Sequence, residues 1–247
     1  MDSLEAYLPV EPSMQKYFPL HDWSLLKGGE VEFMYGEMCQ HAELIACEAY
    51  LTIFRDFGLE DLSRMLAFSQ TRDRGLKGKV LDLKASGVGV DSFYQCVGQG
   101  VFPISPVTRP VEQLENCEEP DFLHDMIGHV PYLQDDEVVQ LMLGLCHHLN
   151  STVDDAVKDQ LMKLWFHVFE FGLVLEKGQL KAFGAGLISS RRAFLNIKES
   201  PILFASKESV LNADISADGL PHCYFLHQGK AELLEFTRST LQEMVAA

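Results

Sequence analysis

Apolar residues recur every three or four positions over most of this 247-residue chain, and this spacing constrains the fold more than any other feature. It predicts helices over 30–57, 59–70, 120–129, 136–150, 152–177 and 230–244, with two shorter helices between 190 and 223. Glycine and proline are concentrated in 72–110, which favours short strands and loops, and further strands are expected at 180–183 and 223–226. The pattern predicts a mainly α fold with minor β structure, forming a single domain over 1–247.

The composition excludes several classes of partner. Acidic residues outnumber basic ones by 36 to 20, a formal net charge of −16 that repels nucleic acids and anionic membranes. No apolar run reaches the ~18 residues of a transmembrane helix, and the acidic N-terminus lacks the pattern of a secretory signal. Six scattered cysteines without a CxxC pair indicate reduced thiols. We therefore expect a cytoplasmic protein that binds neither nucleic acid nor membrane.

Two histidines lie five positions apart in the segment PDFLHDMIGHVP. On a regular α-helix His124 and His129 would point about 140° apart and could not share one ion. Gly128 and Pro131 predict that the helix ends between the histidines, which would let His129 turn back toward His124. The alternative is two unrelated histidines, one in a helix and one in a turn.

Glu170 is predicted to lie on or beside the apolar face of helix 152–177, where an unpaired carboxylate would be costly. Its charge requires either a metal ion or an ion pair, for example with Arg109 or Arg191. Two imidazoles and one carboxylate form the iron site of non-haem iron(II) oxygenases, and the same set serves zinc hydrolases. The residues alone leave both chemistries open.

Two stretches of sequence resemble the pterin-dependent aromatic amino acid hydroxylases. Residues 119–131 read EPDFLHDMIGHVP, similar to the iron-binding signature of that family. Residues 169–173 (FEFGL) and 181–190 (KAFGAGLISS) resemble a second family block in the same order, and the resemblance is strongest over 93–190. It implies that His124, His129 and Glu170 are the catalytic metal ligands and bind Fe(II), with a tetrahydropterin and O2 as cosubstrates.

The resemblance also implies a substrate site. An arginine at the position of Arg109 binds the carboxylate of the amino acid in the family, and a planar guanidinium suits that two-pronged contact. Asp121 would hold this arginine, and Ser189 and Gly186 would lie beside the substrate. The expected walls of the ring pocket are Pro120, Trp165 and Phe166, with Phe166 standing where the family frequently has Trp.

The expected pterin site departs further from the family pattern. Phe93 falls at the stacking position, and Val88 lies in the preceding loop, which is rich in glycine here. Asp125 replaces the usual Glu that reaches the pterin through water, and Pro103 replaces a common histidine of the pterin wall. The sequence therefore predicts an altered pterin pocket.

These inferences predict a monooxygenase that hydroxylates the ring of a free aromatic amino acid, with phenylalanine as the first choice. Tryptophan, tyrosine or a different ring position stay open. We expect a monomer without regulatory or tetramerisation domains, served by pterin-recycling enzymes. The alternatives are a degenerate family member that binds metal or amino acid without turnover, and a zinc hydrolase using the same three ligands.

Overall fold

The computed structural model describes residues 29–70, 76–81, 91–115, 120–215 and 219–246. In this part of the chain the α-helices are α1 (Glu30–Ile45), α2 (Glu48–Asp56), α3 (Leu62–Gln70), α4 (Asp91–Gly98), α5 (Asp136–Ser151), α6 (Asp155–Trp165), α7 (Ala185–Ile188), α8 (Arg191–Asn196), α9 (Lys207–Asn212) and α10 (Lys230–Ala246). The strands are β1 (Lys77–Val80), β2 (Val101–Ile104), β3 (Leu173–Glu176), β4 (Gln179–Ala182), β5 (Ile202–Phe204) and β6 (Tyr224–His227). The predicted mainly helical fold with minor β structure is confirmed.

Four further turns complete the helical structure. Two are π-helical, His124–His129 and Phe166–Glu170, and we name them the first and the second π turn. Two are 3₁₀-helical, Val111–Gln113 and Val130–Gln134. None of the helices in the described segments is both long and apolar enough to cross a membrane.

The helix predicted over 30–57 is divided into α1 and α2. Ala46 adopts an extended conformation, forms a bridge with Ala182 of β4, and is followed by Cys47, whose N–H donates to the Ala182 carbonyl at 2.9 Å. The break was missed because the apolar spacing continues across it, whereas the pairing partner lies far away in the sequence. Burial of most apolar positions in both helices explains why the periodicity looked continuous.

The prediction of a helix over 152–177 is wrong beyond Glu170. Residues Leu173–Glu176 form β3, which pairs antiparallel with β4 through a turn at Lys177 and Gly178. Both turn residues have positive φ, 51° and 75°, the conformation that a two-residue hairpin requires. The end of the predicted helix is thus replaced by a hairpin, whose turn includes Gly178.

The strands form two sheets. The larger has the order β4-β3-β6-β5, with β6 parallel to both of its neighbours. The smaller consists of β1 and β2 in parallel, and the helix α4 lies between them in the chain. This helix lies within 72–110, where only strands and loops were predicted.

Helix α7 fits closely against both π turns, and two glycines make this possible. A Cβ added at Gly128 would lie 2.7 Å from the Cβ of Ala185, and one at Gly184 would lie 2.2 Å from the carbonyl oxygen of Glu170. The segment 184–190 therefore contains a short helix, α7, that packs against both π turns. Its residues Leu187 and Ile188 are fully buried.

Candidate metal centre

The first π turn brings His124 and His129 together. The N–H of Val130 donates to the carbonyl of Asp125, five residues earlier, and this pattern aligns residues that are five apart. The two Nε2 atoms lie 3.1 Å apart, and both imidazoles are buried. The expectation that the helix ends between the histidines is wrong, because the helix widens to π geometry and continues into the 3₁₀ turn after it.

The second π turn places Glu170 opposite both histidines. Its Oε1 lies 3.1 Å from Nε2 of His129, and its Oε2 lies 3.4 Å from Nε2 of His124. The cations considered as alternative partners pair elsewhere, since Arg109 binds Asp121 and Arg191 binds Glu37 and Glu115. The three side chains are the one group among the described residues with the arrangement of metal ligands.

The distances between the ligand atoms fit a divalent cation. Ligands at ~2.1 Å from an ion are separated by ~3.0 Å at octahedral angles and by ~3.4 Å at tetrahedral angles. The observed separations of 3.1 to 3.4 Å span these two values. The three donors therefore fit Fe(II) or Zn(II), and their spacing does not select between the two metals.

The tautomer of His124 suits a metal ligand. The hydroxyl of Ser189 donates its one proton to the carbonyl of Ala185 at 2.8 Å, so Ser189 Oγ must accept from Nδ1 of His124 at 2.9 Å. With the proton on Nδ1, the lone pair of Nε2 is free for a metal. Ser189, at the end of α7, thus holds His124 in the tautomer that a metal ligand requires.

His124 and Glu170 have the charge states that a bound cation requires. Burial lowers the pKa of His124 to about 4, so its imidazole is neutral at pH 7. Burial alone would raise the pKa of Glu170, but His129 and His124 outweigh it and lower the pKa to about 2. Burial alone would lower the pKa of His129, but the charge of Glu170 raises it. An ionised carboxylate thus faces two imidazoles.

Asp121, Arg109 and Ser189 form the polar side of the centre, next to His124. Asp121 accepts from Nε and Nη2 of Arg109 at 3.0 and 2.7 Å, and from the backbone N–H of His124 at 2.9 Å. Nη1 of Arg109 donates to the carbonyl oxygens of Leu114 and Ser189. The predicted pairing of Asp121 with Arg109 is present, and the two-pronged contact of this guanidinium is made with Asp121. Binding of a substrate carboxylate by Arg109 stays a prediction.

The other predicted substrate residues lie near the two π turns. Phe166 is half-buried and packs on Phe171, with ring centroids 4.6 Å apart. Gly186 lies beneath Phe171, where an added Cβ would come within 3.0 Å of that ring. Pro120 is exposed and precedes the first π turn. Trp165 is buried and donates its indole N–H to Glu170 at 2.9 Å, a contact that sequence reasoning did not anticipate.

Phe93, Phe102 and Trp165 form the aromatic side of the centre, next to His129. Phe93 is half-buried and meets Trp165 and Phe102 edge-on, with centroids 5.3 and 5.6 Å apart. Phe102 lies 5.0 Å from the ring of His129. Phe102 was not among the predicted residues, because an aromatic residue in a short strand is usual for any core.

Asp125 is buried at the edge of the aromatic side. It accepts the backbone N–H of Ser105, just after β2, at 2.7 Å, and burial raises its pKa to about 7. Pro103 lies within β2. Val88 falls in 82–90, outside the described residues. A pterin-binding role for Phe93, Asp125 and Val88 stays a prediction.

The fold and the three ligands define a metal centre of the two-histidine, one-carboxylate class on a mainly helical scaffold. The family model of the biopterin-dependent aromatic amino acid hydroxylases matches residues 88–237, more than half of the chain, and the chain belongs to this family. The family predicted from the two sequence motifs is therefore confirmed.

Bacterial phenylalanine-4-hydroxylases are among the similar sequences. The protein of Vibrio cholerae is 28% identical over 159 residues, which cover 64% of this chain and 54% of that protein. The protein of Caulobacter vibrioides is 25% identical over 225 residues, covering 88% and 73%. The chain thus matches about half the length of the Vibrio protein.

Solved structures share the fold. The phenylalanine hydroxylase of Legionella pneumophila superposes with a TM-score of 0.70 at 19% identity, covering 87% of this chain and 86% of that one. The enzyme of Chromobacterium violaceum, solved with iron(III) and 7,8-dihydrobiopterin, has a TM-score of 0.67 at 20% identity and coverages of 89% and 83%. At these identities the similarity establishes the architecture.

Proposed function

We propose that this protein is a monooxygenase that uses Fe(II), O2 and a tetrahydropterin to hydroxylate the ring of a free aromatic amino acid. The observation that carries the proposal is the convergence of His124, His129 and Glu170, with the Nε2 lone pair of His124 directed at the other two ligands. Phenylalanine is the substrate we favour, because phenylalanine hydroxylases recur among the similar proteins. Family membership supports the pterin.

Iron and pterin, when bound, would supply the oxygen chemistry, while the protein would supply orientation and shielding. His124, His129 and Glu170 would hold the iron, and three protein ligands leave coordination positions open. Arg109, held by Asp121, would orient the amino acid through its carboxylate. Ser189 contacts both Arg109 and His124, so it would link substrate position to the metal ligand.

On the aromatic side of the centre, Phe93 would stack against the pterin, and Asp125 would reach the pterin through water. Pro120, Trp165 and Phe166 would form the walls of the slot for the substrate ring, and Gly186 would lie beside the substrate. The buried aromatic residues around His129 would exclude water from the metal. Pterin-recycling enzymes would then reduce the oxidised pterin back to the tetrahydropterin. We also propose a monomeric, cytoplasmic protein, which sedimentation and fractionation of expressing cells would check.

The experiment is anaerobic reconstitution with Fe(II), or with Zn(II) as the matched control, followed by O2, tetrahydropterin and a panel of aromatic amino acids. Ring hydroxylation that is coupled to pterin oxidation and occurs with iron alone is the expected result. Phenylalanine, tyrosine and tryptophan are compared, and mass spectrometry with chromatographic standards identifies the ring position.

Other outcomes separate the alternatives. Metal and amino acid binding without product would identify a degenerate family member. Zinc-dependent hydrolysis of ester or amide substrates would identify a hydrolase. Hydroxylation that proceeds equally well without pterin would contradict the proposed electron source.

A further inference from the structure

Trp165 makes a direct polar contact with the carboxylate of the metal centre. Its indole N–H donates to Oε1 of Glu170 at 2.9 Å. The second π turn produces this contact, since the N–H of Phe171 donates to the carbonyl of Phe166 five residues earlier, and residues 165 and 170 have the same separation. In a regular α-helix the two side chains would diverge by about 140°.

The contact restricts the terminal side-chain torsion of Glu170, the rotation that exchanges its two carboxylate oxygens. The terminal torsion of a glutamate has a broad two-fold distribution, so its two oxygens exchange places readily unless one of them is held. Indole N–H is a donor only, and therefore it holds an ionised carboxylate oxygen. With Oε1 held toward Trp165 and His129, Oε2 is the oxygen that faces His124.

The indole itself is held by packing on several sides. Trp165 is 3% exposed and meets Phe93 and Tyr94 edge-on, with centroids 5.3 and 5.8 Å away. Phe169 lies against it at 4.9 Å. A buried donor with a fixed ring can impose its direction on the carboxylate that it contacts.

We propose that Trp165 is a positioning residue, which sets the rotation of the Glu170 carboxylate at the metal centre and thereby the affinity of the site for its metal. The proposal rests on the metal site of the proposed function. Hydrogen-bond partners of metal ligands typically change metal affinity by about ten- to hundredfold when they are removed. We expect an effect of that size here, from a residue that touches no metal.

The test uses Co²⁺ as the probe and compares two replacements of Trp165. Incorporation of 3-benzothienylalanine at 165 keeps the shape of the ring but exchanges the N–H for sulfur, whereas Trp165→Phe removes both. Phe93→Leu is the packing control, because it alters a neighbour of the indole and leaves the N–H in place. Chelator competition gives the Co²⁺ dissociation constant, and the visible absorption of Co²⁺ reports its coordination.

A second readout uses the fluorescence of the indole. The chain has two tryptophans, so Trp23→Phe leaves Trp165 as the only tryptophan, and its emission is excited at wavelengths that tyrosine does not absorb. Bound Co²⁺ should quench this emission strongly, and His124→Ala in the same background should abolish the quenching.

We expect 3-benzothienylalanine and Trp165→Phe to raise the Co²⁺ dissociation constant about ten- to hundredfold and to change the absorption spectrum of the bound ion. For Phe93→Leu the dissociation constant should stay within about twofold of the parent. An unchanged constant and spectrum for folded 3-benzothienylalanine protein would overturn the proposal, as would loss in Trp165→Phe alone, because packing would then be the cause. If the parent itself binds no Co²⁺ that depends on His124, the metal site of the proposed function fails instead.

Discussion

The two histidine ligands are held in different ways by the two sides of the metal centre. On the polar side, His124 is fixed by directional contacts, since Ser189 accepts its Nδ1–H and Asp121 accepts its backbone N–H. On the aromatic side, His129 lies against Phe102, and its buried Nδ1 has no hydrogen-bond partner among the described residues. One ligand is oriented by hydrogen bonds and the other mainly by shape.

This difference indicates how substitutions on each side should act. A hydrogen-bonded network loses several contacts when one member is removed and leaves buried polar groups unsatisfied. An aromatic wall loses area and contact, and its neighbours can partly adapt. We therefore expect larger and more widely spread effects on the polar side.

Replacing any of the three candidate ligands should have the largest effect on iron content and activity. Here we expect no difference between the polar and the aromatic side. His124→Ala, His129→Ala and Glu170→Ala should each abolish stoichiometric iron and hydroxylation, because two remaining ligands hold Fe(II) poorly. Metal analysis after desalting checks this. If His129→Ala keeps its iron while His124→Ala loses it, the two histidines do not belong to one centre.

Asp121→Ala should cost the most stability, about 3–5 kcal/mol, because it leaves the buried guanidinium of Arg109 without its carboxylate. Urea denaturation measures the loss. The matched control is Glu115→Ala, which removes an exposed partner of Arg191 and should cost at most about 1 kcal/mol. Similar losses for both variants would show that burial does not distinguish the two ion pairs.

Arg109→Lys should raise KM for the free amino acid by about ten- to hundredfold, because an ammonium cannot replace the planar contact with a carboxylate. The same variant should retain iron, because the guanidinium of Arg109 donates to Asp121, Leu114 and Ser189, none of which is a candidate metal ligand. Steady-state kinetics with the free acid and with its amide gives the answer. Equal rates for acid and amide in the parent protein would remove this role from Arg109.

Phe93→Ala tests the aromatic side and should have a smaller effect. Loss of ring stacking should weaken pterin binding about three- to tenfold and leave iron content unchanged, because no ligand is touched. Pterin titration of the iron-loaded protein, with metal analysis in parallel, measures both. A fall in iron content equal to that of a ligand variant would mean that Phe93 supports the metal instead.

The smallest effect concerns an imidazole that is buried without a carboxylate. Burial lowers the pKa of His227 to about 4, and its Nε2 has no partner among the described residues. As pH falls below about 6.5, the unfolded chain takes up the proton first, so stability present above pH 6.5 is lost toward pH 4.

We therefore expect the parent to lose about 1 kcal/mol more than His227→Leu between pH 7.5 and pH 5.5. Denaturation at the two pH values measures the difference. Identical pH dependence of parent and His227→Leu would contradict the assignment. His129 differs from His227 because Glu170 faces it and raises its pKa.

The sequence was sufficient for the class of fold and for the choice of the candidate ligands. Apolar spacing predicted the helices near 136–150 and 230–244 closely, and they are α5 and α10. The motifs around His124 and Glu170 indicated the family. Such signals are local, because helical periodicity and short motifs are carried by neighbouring residues.

The break between α1 and α2, the hairpin of β3 and β4, and the two π turns were decided by tertiary structure. Cys47 leaves the helical pattern to pair with β4, a partner 135 positions away along the chain. A π turn has no periodicity of its own in the sequence, since it differs from an α-helix by one residue in a single turn. The two π turns persist here because Gly128 and Gly184 let α7 pack against both of them.

The sequence alone thus indicated the three candidate metal ligands, because their chemical types and motifs are local properties. Only the tertiary structure decided how they converge. The Nε2 atoms of His124 and His129 come together through a π turn, and Trp165 meets Glu170 through another. Both geometries depend on contacts between distant segments, and no pattern within a single segment encodes such contacts.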